Sequence, residues 1–253
     1  MWQPFRPRDG AWHRWRLNGA AAYARRDGGS WRAAFAQIPF RERTGDFGGP
    51  EECGPPPEGS GIVHSWEGGE TLLLRPCLGP QPYALRPLER LRIPPGRHCR
   101  LSVSLPPLLR LELPQGKILA EGMPFLTSRA FFGPDLMRGE IGHSLELAVG
   151  QAREGEPAPS ALVRCEVLIR NGTKAPIEPA LIAIHPEPLS VYERGGALVS
   201  DLLELDFTDG DCRERPRRAG GPGCRLVSAG ARQSAGESLA RRGAGIIKDI
   251  AAI

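Results

Sequence analysis

No run of apolar residues in this 253-residue chain approaches the roughly 20 that a membrane-crossing helix needs. The opening stretch, MWQPFRPRDGAWHRWRLNG, places charges and tryptophans where a secretory segment requires an unbroken apolar core. A cytoplasmic protein without a membrane span is therefore expected. Lysine is nearly missing: Lys117, Lys174 and Lys248 are the only three, so almost all of the positive charge is arginine. A composition rich in Arg, Ala, Gly and Pro with so little Lys is what a GC-rich genome produces by codon bias. The formal net charge of +4 thus speaks to solubility before it speaks to binding. Aromatic residues make up only 6%, which leaves the core to Leu, Val, Ile and Ala.

The signatures of common chemistries are also missing. There is no CxxC, HxH or HExxH, and the six cysteines (Cys53, Cys77, Cys99, Cys165, Cys212 and Cys224) lie far apart in sequence. Structural zinc sites usually show paired ligands, so no metal is expected. The cysteines are read as free thiols, Cys99 and Cys165 as small buried hydrophobes. No GxSxG elbow and no phosphate-binding glycine loop occurs. None of His13, His64, His98, His143 and His185 has a neighbour that marks it as a catalytic base. No cofactor is expected, and the balance leans away from an enzyme.

What the chain does contain is turn and strand chemistry. Gly 32 and Pro 26 fall mostly between short apolar runs. Asn18-Gly19 and Asp27-Gly28-Gly29 separate AWHRWRL, AAYARR and SWRAAFAQI, which predicts a β-meander because these residues tolerate the positive φ of tight turns. Residues 45–61, with Pro55-Pro56-Pro57, read as a loop or linker. In RHCRLSVSL, Cys99, Leu101, Val103 and Leu105 alternate with Arg100, Ser102 and Ser104, the period of a half-buried strand. GHSLELAV, LVRCEVLIR, ALIAI and LLELDF continue the series. Asn171-Gly172-Thr173 matches a glycosylation sequon but reads more simply as a hairpin turn. Only Leu239, Ile246, Ile247, Ile250 and Ile253 hint at a helix, and Gly236, Gly243 and Gly245 weaken it by about 1 kcal/mol each.

The expected fold is all-β: an antiparallel β-sandwich-like domain with an N-terminal β-meander and at most a short C-terminal helix. The expected division is a meander over 1–44, a Pro/Gly-rich linker over 45–61, a sandwich over 62–230 and a tail or short helix over 231–253.

Two patches are candidates for recognition. Phe131, Phe132, Gly133, Asp135, Gly139 and Glu140 surround a Gly-Pro turn that either anchors a hairpin or presents a sticky surface to a protein partner. Trp12, Arg14, Trp15 and Arg16 form the heart of an arginine- and tryptophan-rich start that could meet nucleic acid, Arg on phosphates and indoles on bases. The competing reading puts the tryptophans in the core and the arginines on the wet face, and it is the favoured one. Arg213–Arg218, RERPRR, is a second basic cluster, read as a solvated loop insertion.

From residue 83 onward, three stretches carry a family resemblance. They are ALRPLERLRIPPGRHCRLSVSLPPLL, FFGPDLMRGEIGHSLEL and CEVLIRNGTKAPIEPALIAIHPEPLSVYERGGALVSD. Together they resemble the domain of unknown function 432 family of archaea and some bacteria. YARR and WRAAF fit more loosely, and the segments 45–61 and 209–223 depart from the pattern. The resemblance implies a cytoplasmic β-rich fold and no established activity. The resulting expectation is a non-catalytic binding or scaffolding module with a protein partner; the alternatives are a nucleic-acid binder using the N-terminus and an enzyme with an unrecognised site.

Overall fold

Short strands separated by turns build the computed structural model, which describes residues 2–17, 19–38, 47–66, 69–124, 128–132, 140–147, 162–209, 211–219 and 221–231. In chain order the strands begin with β1 (Trp12–Leu17), β2 (Ala20–Asp27), β3 (Ser30–Gln37), β4 (Phe47–Cys53), β5 (Val63–Ser65) and β6 (Leu73–Cys77). They continue with β7 (Tyr83–Pro87), β8 (His98–Leu105), β9 (Leu108–Glu112), β10 (Ile118–Gly122), β11 (Ser128–Phe132), β12 (Glu140–Leu147) and β13 (Val163–Asn171). The last are β14 (Ile182–Ile184), β15 (Val191–Arg194), β16 (Ala197–Ser200), β17 (Leu202–Thr208), β18 (Asp211–Arg217) and β19 (Arg225–Ser228). The protein is all-β, with no helix among the described residues; the C-terminal helix candidate lies outside them. The chain divides into two compact units, Met1–Cys77 with Pro106–Leu126, and Leu78–Leu105 with Thr127–Ile253.

The first unit holds a five-stranded sheet, β4-β1-β2-β3-β5, and a three-stranded sheet, β10-β9-β6. The expected meander is there: β1, β2 and β3 pair antiparallel in sequence order, and the β2–β3 turn has Gly28 at φ +59°. Gly28 also donates its N–H to the Asp9 carboxylate at 2.9 Å. Opposite Trp15 in the ladder stands Ala22, and Ala24 faces Ala33. The small side chain of Ala22 leaves room for the Trp15 indole, and Trp15 and Trp31 are both buried. Phe5 meets Trp15 edge-to-face at 5.5 Å and exchanges two 2.8 Å backbone hydrogen bonds with Leu72, tying the first residues down. The other face of the meander is apolar as well: Trp12, Ala21, Tyr23, Ala34 and Ala36 form one cluster with Ile38 and Cys53.

Residues 47–53, inside the segment expected to be loop, form β4. Its pairing to β1 sets Glu51 opposite Arg14 and Glu52 opposite His13, so cross-strand charge attraction offsets the poor strand propensity of Gly48-Gly49-Pro50. The three consecutive prolines follow outside the strand.

The second unit contains the sheet β11-β12-β7-β14 and a seven-stranded sheet, β18-β17-β13-β16-β15-β19, with β8 on the far side of β13. Most pairings are antiparallel, but β12–β7, β13–β16 and β13–β17 are parallel. The alternation seen in sequence is kept: Leu101, Val103 and Leu105 of β8, Val163, Cys165, Val167 and Ile169 of β13, and Leu203, Leu205 and Phe207 of β17 are all buried. Asp201 is buried with its charge satisfied: its carboxylate accepts hydrogen bonds from Ser190 N–H (2.9 Å), Tyr192 O–H (3.0 Å) and Ala219 N–H (2.9 Å). That clamp joins the approach to β15 with the exit from β18.

Two sequence readings change here. Arg213–Arg218 is not a loop insertion, because residues up to Arg217 form β18. Cys212, Glu214 and Pro216 turn to one face, and Glu214 anchors it, accepting the His185 N–H at 3.2 Å and meeting His185 Nδ1 at 3.1 Å. Asn171 does not make a simple hairpin turn either. It is buried, its amide donates to the carbonyls of Ile93 (2.8 Å) and Ala175 (2.9 Å), and its Oδ1 accepts from Thr173 N–H at 2.9 Å. Its neighbour Gly172 runs so close to β17 that an added Cβ would stand 2.9 Å from the Phe207 carbonyl oxygen.

An arginine-lined groove as candidate functional site

Four adjacent strands of the second unit, β8, β13, β17 and β18, place their outward side chains in cross-strand rows. Pairing registers align His98, Arg170, Asp206 and Arg213 in one row. The next row is Arg100, Leu168, Glu204 and Arg215. Because alternate residues of a strand share a face, Arg213, Arg215 and Arg217 project together from β18, and all three are exposed. The loop Pro94–Arg97 closes one end, where the Asn171 backbone N–H donates to the Arg97 carbonyl at 2.9 Å and Gly96 N–H to the Asn171 carbonyl at 2.8 Å. Between them lies an open groove of about 390 Å³, lined by Arg97, His98, Arg170, Asp206, Arg213 and Arg215 together with Asn171, Gly172 and the Phe207–Thr208 segment.

The electrostatics are lopsided. Four guanidinium groups face one carboxylate in the lining. Beneath them Glu204, buried, accepts a 3.2 Å hydrogen bond from Arg170 and a 3.0 Å one from Arg217. The Arg217 hydrogen bond, supported by Arg170, holds the Glu204 carboxyl below the usual glutamate range although burial pushes the other way. Asp206 stands 3.7 Å from Arg170 and 3.9 Å from Arg215. The two carboxylates hold Arg170, Arg215 and Arg217 in place. The Arg97 guanidinium, which is exposed, has no acidic partner among the described residues.

Guanidinium groups in such a lining can donate paired hydrogen bonds to an anion. Two buried thiols, one in each unit, are poor nucleophiles: burial pushes Cys165 up to about 12 and Cys77 up to about 11. All six cysteines are free. His143 is lowered by burial, with Arg129 adding to the effect, and its ring sits 5.2 Å from that of Tyr83. Among the described residues no group of His, Cys, Asp and Glu side chains could hold a metal ion, and no helix is long and apolar enough to cross a membrane.

The residues singled out in sequence lie elsewhere. Trp12, Arg14, Trp15 and Arg16 are all on β1 of the first unit. Trp12 and Trp15 are buried, Trp15 at 1% exposure, so neither indole face is open to a base. Arg14 is committed to Glu51 by hydrogen bonds of 2.6 and 3.1 Å, and Arg16 reaches the same carboxylate at 3.5 Å. Phe131 is half-buried on the edge strand β11, opposite Ile141, which is 54% exposed. Phe132 pairs with Glu140 in the same ladder, while Gly133, Asp135 and Gly139 lie outside the described residues. Phe131, Phe132 and Glu140 belong to the four-stranded sheet and are not in the groove lining.

Sequence reasoning noted Arg213 and Arg215 only as part of a solvated cluster and did not single out Arg97, Arg170 or Asp206. The available signal was the period of two in Cys212–Arg217, where arginine occupies every second position. No curated protein and no solved structure matches the chain. A family model described as protein of unknown function (DUF432) matches residues 1–216, most of the chain, and the chain belongs to that family.

Proposed function

We propose that this protein is a non-catalytic binding module that recognises an anionic partner through the arginine-lined groove of its second unit. The observation that carries the reading is the excess of guanidinium over carboxylate groups on one open sheet face, with Arg97 lacking an acidic partner among the described residues. Arginine is suited to this because its planar fork donates in pairs to phosphate or carboxylate. Retention on immobilised heparin, a generic polyanion, tests it. An Arg97→Glu/Arg213→Glu variant with an unchanged circular dichroism spectrum is expected to elute at lower salt than the parent. Identical elution of the two proteins would sink the proposal.

A second reading keeps a protein partner at the β11–β12 hairpin, supported by the exposed Ile141 beside Phe131 on an edge strand. Ile141→Asp is expected to abolish capture of a stoichiometric, nuclease-resistant partner from native lysate while leaving the fold intact. Capture at the parental level would remove the hairpin from consideration.

A further inference from the structure

We infer that the anion is the phosphodiester backbone of a nucleic-acid strand, laid along β18 and over the mouth of the groove; this rests on the anion-binding reading above.

Three features of the site select this class. First, the cations form a line and not a cup. Arg213, Arg215 and Arg217 repeat every second residue on one face of β18, roughly 6.8 Å apart at the rise of an antiparallel strand. That repeat is comparable to the distance between successive phosphates of an extended strand, so each guanidinium can meet its own phosphate. Arg97 extends the cationic surface from the opposite side of the groove.

Second, the groove is open, and most of its lining side chains are charged or polar. Sites for small molecules are enclosed and lined largely by hydrophobic side chains. Here four of the lining side chains are arginines, Phe207 is buried and His98 is the exposed ring. A free nucleotide would bring its phosphates to only part of the arginine line. A chain of phosphates gains from every arginine in the line.

Third, the edge of β18 is poorly suited to an acidic peptide that adds as a further strand. Pro216 carries no N–H, and alternating arginines flank it, two devices that discourage edge pairing. Recognition therefore uses the side-chain face. The arginines meet phosphates, which carry no sequence information, and the exposed His98 ring can stack on any base, so binding is governed by charge and spacing and is blind to sequence.

Salt dependence gives the inference a number. If Arg97, Arg213, Arg215 and Arg217 each neutralise one phosphate of a single strand, log K falls against log salt with a slope of about −3. The experiment is fluorescence anisotropy of a labelled oligothymidylate titrated with the full chain across a salt series. Unlabelled poly-glutamate of equal length and ATP serve as competitors. Tight binding at low salt with a slope near that value is expected. Arg213→Glu/Arg215→Glu should weaken binding at least tenfold, while Arg14→Glu/Arg16→Glu on β1 should leave it unchanged. If the charge reversal fails to fold, Arg213→Gln/Arg215→Gln should flatten the slope by about 1.4. Absence of oligothymidylate binding, equal competition by poly-glutamate, or equal loss in the β1 variant would each overturn the inference. If the heparin result holds while oligothymidylate does not bind, the anion-binding reading survives and this assignment of its ligand fails.

Discussion

Two strands of this protein carry arginine at alternate positions, and their neighbours make them physically different. β1 lies inside its sheet between β4 and β2, and Arg14 and Arg16 both reach Glu51 across the β4 ladder. Around them Arg25 and Arg32 share Asp27, at 2.8 and 3.2 Å. β18 lies at the edge of its sheet, with β17 on one side only. There Glu204 and Asp206 serve Arg170, Arg215 and Arg217 between them, and Arg213 sits across from Asp206 in the same row. The lesson is that an arginine count states how much charge a chain carries, while strand order decides how much of it is available to a ligand. The region richest in Trp and Arg by sequence spends both on its own fold.

The sharpest way to break this comparison is to attack the core of the first unit. Trp15 is fully buried, packed against Phe5 and opposite Ala22. Trp15→Ala is expected to cost about 3–5 kcal/mol, the range for truncating a large buried aromatic side chain. Urea unfolding followed by fluorescence or circular dichroism measures it. A loss below 1 kcal/mol would mean that the indole is not a core element, and β1 would return as a candidate stacking surface.

Much of this contrast was legible in sequence, but not the part that matters most for binding. The hairpins at Asn18-Gly19 and Asp27-Gly28 could be read because turn chemistry is local. Strands β8, β13 and β17 could be read because their inner faces are Leu, Val, Ile, Phe and Cys at a strict period of two. β18 could not, because its inner face is Cys212, Glu214 and Pro216, which carries no apolar alternation and depends on His185 for its anchor. β4 was hidden in the same way by Gly48, Gly49 and Pro50, and its strand character comes from facing β1. The groove draws on residues from Gly96 to Arg215 whose proximity depends on the parallel register of β13 with β17, which no local pattern encodes. The insertion of residues 106–126 into the first unit is likewise a long-range fact. Composition suggested a solvated arginine cluster, and only the ladder shows it to be an ordered row.

The smaller effects compare two carboxylates that hold arginines, Glu51 under β1 and Glu204 under the groove. Both are lowered below the ordinary value of 4.5, Glu51 chiefly by its hydrogen bond from Arg14 and Glu204 chiefly by that from Arg217. Glu204 is buried, so Glu204→Gln removes charge-assisted hydrogen bonds in a poorly solvated setting and is expected to cost about 1.5–3 kcal/mol. The side chains of Glu51 and Arg14 are each 38% exposed, and solvent screening reduces Glu51→Gln to roughly 0–1 kcal/mol. The sign with pH follows from the lowered values: the stabilisation is present above 4.5 and is lost as pH falls through the lower folded value. Thermal unfolding should therefore show the gap between parent and Glu204→Gln closing below that pH. At neutral pH the same substitution removes one negative charge from beneath the arginine row, so it should tighten oligothymidylate binding while weakening the fold. Glu51→Gln should leave binding untouched, because its arginines face no ligand. If Glu51→Gln tightened binding as much as Glu204→Gln, the two arginine strands would be equivalent and the distinction between edge and interior would fall.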